Sequence, residues 1–160
     1  MIKKFYILLA IILLLIQFIR PNRNEGKVYT SSDITYAIEV PDDVKIILDK
    51  ACNDCHSNFT NYDGLWYLNI QPIGWWINHH IDEGKHHLNF SEFNTYSIKK
   101  KAHKMEEIAE QVQEGEMPME SYTWMHSESK LTEEEKNILI NWANKSYRQL
   151  KSLNESNQKK

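Results

Sequence analysis

An all-α domain behind an N-terminal apolar helix is the fold class the sequence predicts, and three observations carry it. Apolar residues recur at i, i+3, i+4 and i+7 in separate segments. Helix start and stop signals bracket those segments. A single long apolar run precedes all of them.

That run comes first. Lys3 and Lys4 lead into Phe5 to Ile19, whose only polar member is Gln17. As helix it spans about 22 Å, against a hydrocarbon core of about 30 Å, a length that suits a signal peptide. Yet Arg20-Pro21-Asn22-Arg23 follow with no small-x-small cleavage site, and Thr30-Ser31-Ser32 lies far downstream. Lys3, Lys4 and Arg20 can snorkel to the interfaces, so residues 1–22 read as an uncleaved signal-anchor, with a cleaved leader as the alternative. Residues 23–40 read as a polar tether, with a piece of strand character from Thr35 to Val40.

The domain proper is expected over residues 41–150. Pro41-Asp42-Asp43 opens a helix, with proline at its first turn and acids at the positive end of its dipole. Val44, Ile47, Leu48 and Ala51 form its buried stripe. Residues 57–71 are turn-rich, with Asn58, Asn61 and Asp63-Gly64. Pro72 starts a short apolar helix through Trp75, Trp76 and Ile77, with Gly84 expected to end it and residues 85–96 irregular. Ile98, Ala102, Met105, Ile108, Ala109 and Val112 make the next stripe, closed by Gly115. A loop follows Met117-Pro118. Thr132-Glu133-Glu134-Glu135 is a capping box for a helix burying Ile138, Leu139, Trp142 and Ala143. Residues 151–160 read as a fraying polar tail. Trp66, Trp75, Trp76 and Trp124 are expected as core or pocket wall.

Charge is uneven. The formal −3 of the chain becomes −9 over residues 28–150 once the +4 of residues 1–27 and the +2 of residues 151–160 are set aside. Such a domain repels nucleic acid and could steer toward a basic partner, although a plain solvated acidic surface reads equally well.

Chemistry concentrates in Cys52-Asn53-Asp54-Cys55-His56, which contains both cysteines of the chain. This C-x-x-C-H pattern is the attachment site of haem c: each thiol adds to one vinyl group, and the adjacent imidazole ligates iron. A thioredoxin-type dithiol would be expected beside a βαβ pattern, and these flanks read as helix. A zinc site would show a second ligand pair. For the far side of the iron, Met117 stands 61 residues after His56, and Pro118 stiffens its loop. A thioether ligand favours Fe(II) and suits an electron carrier. Met119 and Met125 could substitute, and His80, His103 and His126 are the nitrogen rivals. An open sixth position is the remaining possibility.

A helix ending in C-x-x-C-H, a Met-Pro loop and a closing amphipathic helix resemble the class I cytochrome c plan, in which first and last helices cross and a loop methionine ligates the iron. More of the chain has a likeness. Ala51 to Asn58, Ile73-Gly74-Trp75-Trp76 with His79-His80, Glu83-Gly84, and Leu88-Asn89-Phe90-Ser91-Glu92 resemble a bacterial family known as the haem-binding domain. His103 to Ile108, Gly115-Glu116-Met117-Pro118, Ser121-Tyr122-Thr123 and Leu131 to Trp142 continue the match. It departs after the haem motif, where Asp63-Gly64-Leu65 precede Trp66-Tyr67 in place of the family's Pro-Trp-Tyr. The resemblance implies haem binding and iron ligation but no particular reaction.

The expectation is therefore a membrane-anchored monohaem c-type cytochrome that passes single electrons to a periplasmic or membrane redox partner, a basic one on the first of the two charge readings. Bacterial covalent haem attachment takes place outside the cytoplasmic membrane, which places the domain in the periplasm. The alternatives are a peroxidase-like or accessory haem protein with an exchangeable sixth position, and a haem-binding sensor module. No paired acid–base constellation favours an enzyme.

Overall fold

The computed structural model describes residues 2–63 and 66–158; the Gly64-Leu65 part of the expected turn lies outside them. Among the described residues there is no strand, and the β pairing consists of one antiparallel bridge between Glu25 and Phe59. The helices are α1 (Ile2–Leu15), α2 (Asp42–Ala51), α3 (Asn53–His56), α4 (Ile73–His87), α5 (Ile98–Glu114), α6 (Glu120–Met125) and α7 (Glu133–Gln158), with short 3-10 turns between.

The long pair α5 and α7 forms the main packing layer, and α2 lies across α7. Their predicted stripes supply the core: Val44, Ile47 and Leu48 from α2, Met105 and Ala109 from α5, Leu139, Trp142 and Ala143 from α7. The Trp142 indole donates to the Glu39 carbonyl at 2.9 Å, so burying this ring leaves no unpaired donor. Leu139 is fully buried, and Leu139→Ala is expected to cost about 3 kcal/mol in a denaturant titration.

The caps form as the sequence predicts. Thr132 and Glu135 exchange side-chain-to-backbone bonds at 2.8 and 3.2 Å. Glu135 also meets Lys50 at 2.5 Å, fastening α2 to α7. This hydrogen bond to Lys50, chiefly, holds the Glu135 carboxyl below its ordinary value, helped by the cap bonds to Thr132. A carboxyl lowered on folding adds stability above its unfolded pKa and loses it as pH falls through the folded value. The unfolding midpoint of Glu135→Gln should therefore lie below that of the native protein at neutral pH, and the two should converge at acid pH.

Four elements differ from expectation. Thr35 to Val40 is not a strand: Asp33 caps a 3-10 turn over Ile34–Tyr36 by accepting from the Thr35 amide. Residues 23–40, expected to be a tether, pack along the domain, with Asn24, Asp33 and Ile34 buried. Helix α4 runs through Gly84 to His87. Helix α7 continues to Gln158 although its last buried residue is Leu150; residues 151–158 contain neither Gly nor Pro to stop it.

The expected N-terminal membrane helix is not supported. Helix α1 ends at Leu15 and turns 3-10 over Ile16–Phe18, and no helix among the described residues is long and apolar enough to cross a membrane. The segment is nonetheless fixed to the domain. Gln17 accepts from the Gln71 amide at 2.8 Å and donates to its carbonyl at 3.0 Å. The Trp75 indole donates to the Ile19 carbonyl at 2.8 Å, and Arg20 donates to Asn69 at 3.0 Å.

Candidate haem site

The C-x-x-C-H motif occupies a break and a single turn. Helix α2 stops at Ala51, and Cys52 leaves helical geometry at φ −128°. The Cys52 carbonyl then accepts from the Cys55 and His56 amides at 3.2 and 3.0 Å. Extended backbone at Ser57 ends the turn. The following loop is held by side chains: Ser91 accepts from the Asn58 amide at 3.1 Å, and Asn58 bonds to both Asn89 and Glu92.

Helix α4 seals the other side of the turn at Gly84. A Cβ built there would lie 2.7 Å from the Cys55 carbonyl oxygen and 3.3 Å from the Cys55 Cβ. Backbone rather than a flexible side chain fills that space, so Gly84 is a point of close approach. Gly84→Ala should force α3 and α4 apart, at about 1–3 kcal/mol of stability, read as a lowered denaturation midpoint together with a lower haem content.

His56 is oriented by its surroundings. Its Nδ1 stands 3.0 Å from the Leu88 carbonyl oxygen, which can only accept, so Nδ1 carries the proton and Nε2 keeps its lone pair. This is the arrangement of a metal-binding imidazole fixed by an outer hydrogen bond. Burial, chiefly, holds the His56 pKa below its ordinary value, which keeps the ring neutral and able to ligate. Both thiols are pushed up, Cys52 to about 12 and Cys55 to about 11, mainly by burial and further by Cys55 and Asp54 respectively. Protonated thiols are poor metal ligands. Among the described residues, no group of three or more His, Cys, Asp or Glu could hold a metal ion.

Cys52, Cys55 and His56 line one cavity of ≈ 410 Å³, and Met117 lines it as well. Gly115 ends α5 in the left-handed conformation at φ 79°. The Glu116 and Met117 amides return to the Gln111 carbonyl at 3.0 and 3.2 Å, and this turn carries Met117 to the cavity. Leu48, Leu88, Phe90, Ile108, Val112 and Leu139 make the walls apolar, and Glu83, His87, Lys104 and Glu107 stand among the lining. Lys104 pairs with Glu107 at 2.5 Å.

The histidine rivals separate. His80 lines this cavity, and its Nδ1 is held 2.8 Å from the Trp76 carbonyl, so its Nε2 is free as well. His103 faces outward on α5, 3.2 Å from Glu107 and 3.7 Å from Glu106. His126 lines a neighbouring cavity, whereas Met119 contributes to both linings. Trp66, Trp76 and Trp124 are not core: they are 68%, 51% and 74% exposed. Sequence reasoning missed the Leu88 carbonyl, which no side-chain pattern announces. It also missed Asp54, whose carboxylate accepts from Tyr122 Oη at 2.8 Å and from the Asn61 amide at 2.9 Å.

The donor set fits a haem. A large apolar macrocycle needs apolar walls, and its iron needs a neutral imidazole with an open lone pair; both meet here. An all-helical domain with such a cavity is a haem-binding protein. A family model for the haem-binding domain matches residues 11–145, and the chain belongs to that family. No curated protein and no solved structure matches it.

Proposed function

We propose that the protein is a membrane-attached monohaem c-type cytochrome that carries single electrons in the periplasm. The observation that supports this best is the shared cavity: both thiols of the chain, the free Nε2 of His56 and the Met117 thioether line it together. Cys52 and Cys55 attach the haem c, His56 is the proximal ligand and Met117 the distal one. When bound, the haem supplies one-electron chemistry at a potential raised by the thioether ligand. The chain's own contributions are the Leu88 carbonyl that fixes the His56 ring, the Gly84 contact that seats the motif, and apolar walls that exclude water.

Membrane attachment rests on α1, none of whose residues is buried. An exposed apolar surface of that extent calls for a cover, and a bilayer is the cover its composition suits. The redox partner is a periplasmic or membrane protein, with a basic face complementing the acidic domain.

His80 supports a second reading of the sixth position. It has the same device as His56, a backbone carbonyl on Nδ1 and a free Nε2, and bis-histidine ligation would lower the potential. It stands, however, on α4, the helix whose Gly84 abuts Cys55, whereas Met117 enters from the α5–α6 connection.

The test is to express the full chain with a c-type haem maturation system and analyse the membrane fraction. The expected result is a membrane-bound protein whose mass rises by one haem that survives a denaturing gel. A protein that loses its haem on denaturation would overturn the covalent assignment, and recovery from the soluble fraction would overturn the attachment.

A further inference from the structure

A second cavity of ≈ 300 Å³ adjoins the first, with Cys55, His80, Met119 and Tyr122 contributing to both linings. Its character is different. Tyr67, Trp76, Tyr122 and Trp124 give it flat aromatic walls, and Met119 and Met125 supply adaptable ones. Trp76 and Trp124 line it while standing 51% and 74% exposed, so the protein keeps two indole faces only partly covered at its mouth. Asp54 is the one carboxylate of the lining, and its oxygens accept from Tyr122 and the Asn61 amide. No Lys or Arg lines the cavity, so an anionic ligand finds no permanent cation there.

One polar pair marks the wall. Tyr67 Oη lies 2.8 Å from His126 Nε2, and His126 Nδ1 lies 3.2 Å from the Glu128 carboxylate. A carboxylate only accepts, so in the neutral ring Nδ1 carries the proton and Nε2 accepts from Tyr67. The Tyr67 oxygen then has lone pairs to offer and no proton, and it can accept from a ligand hydroxyl. Burial raises the Tyr67 pKa, which keeps this phenol a donor to His126 through the neutral range.

We propose that this cavity binds a neutral hydroxylated aromatic ring, of the phenol or hydroquinone class, stacked on Trp76 and Trp124 with its hydroxyl donating to Tyr67. Apolar substituents of the ring have a continuation. Ile73 belongs to the lining, and Ile70 and Ile73, both partly exposed, flank the Gln71 that holds Gln17 at the end of α1. The site goes beyond the haem reading and does not require it.

The test uses the haem-loaded full chain in detergent, titrated calorimetrically with 2-naphthol, naphthalene and 2-naphthoate. The expected result is saturable one-to-one binding of 2-naphthol, with naphthoate weaker by roughly tenfold for its desolvated charge. Trp76→Ala and Trp124→Ala, both at exposed positions, should each weaken 2-naphthol by about tenfold, whereas Trp66→Ala, outside the lining, should leave it unchanged. Tyr67→Phe should cost 2-naphthol roughly three- to tenfold, the worth of one hydrogen bond, and naphthalene nothing. Non-saturable uptake, equal loss in Trp66→Ala and Trp76→Ala, or equal effects of Tyr67→Phe on the two neutral rings would each overturn the proposal. The haem spectrum, recorded on the same samples, reports separately on the first cavity.

Discussion

Replacing Cys52 and Cys55 together by alanine is expected to abolish covalently bound haem while leaving a folded helical protein. Both thiols line the cavity; Cys55 lies outside the core cluster and Cys52 packs against it only as a partly buried neighbour, so losing two sulfur atoms costs some packing but not the fold. Far-ultraviolet circular dichroism should retain the helical signal, and a denaturing gel stained for haem should show none. Each single variant, Cys52→Ala or Cys55→Ala, keeps one thiol and hence one thioether. One vinyl group then stays conjugated with the ring, and the reduced pyridine spectrum shifts to longer wavelength. Haem that survives denaturation in the double variant would show that the attachment lies elsewhere.

The second large effect is expected at Met117. Met117→Ala should remove the weak methionine-to-iron absorption band of the oxidised protein, lower the reduction potential and open a position that binds carbon monoxide rapidly. His80→Ala should change none of these, and Met119→Ala serves as the control for a nearby thioether. Loss of the low-spin spectrum in His80→Ala, with Met117→Ala unaffected, would transfer the assignment to His80. The two variants differ in their local risks. Met117 joins the cap after Gly115 only through its backbone amide, which alanine keeps, whereas His80 packs its ring 4.3 Å from Trp76. A His80 variant therefore needs its thermal midpoint recorded beside its spectrum.

Much of this architecture was legible because it rests on local chemistry. The stripes of α2, α5 and α7, the Thr132–Glu135 box and the Gly115 cap each follow from a few adjacent side chains. Gly84 was misread for a physical reason. A glycine in an apolar helix signals either a stop or a neighbour too near for a Cβ, and only the position of the Cys55 carbonyl distinguishes them. The same holds for Thr35 to Val40, whose alternation suggests a strand but whose backbone follows the Asp33 cap. The Cys and Met residues that line the first cavity could be listed from spacing. The partner that orients His56 could not, because it is a backbone carbonyl 32 residues away in sequence. The tryptophans misled in the opposite direction: their size suggested burial, yet Trp66, Trp76 and Trp124 stand largely in the open.

The paired amide contact between Gln17 and Gln71 has a consequence for how the chain can be handled. Two hydrogen bonds running in opposite directions between the same two residues set the angle at which the apolar helix leaves the domain. The indole of Trp75 and the side chain of Asn69 secure it on either side. The N-terminal segment thus behaves as a keel rather than a leash. A version trimmed before residue 20 would leave the buried Gln71 amide and the Trp75 indole seeking water, and hydrogen exchange at the start of α4 should quicken even if the remaining helices are undisturbed.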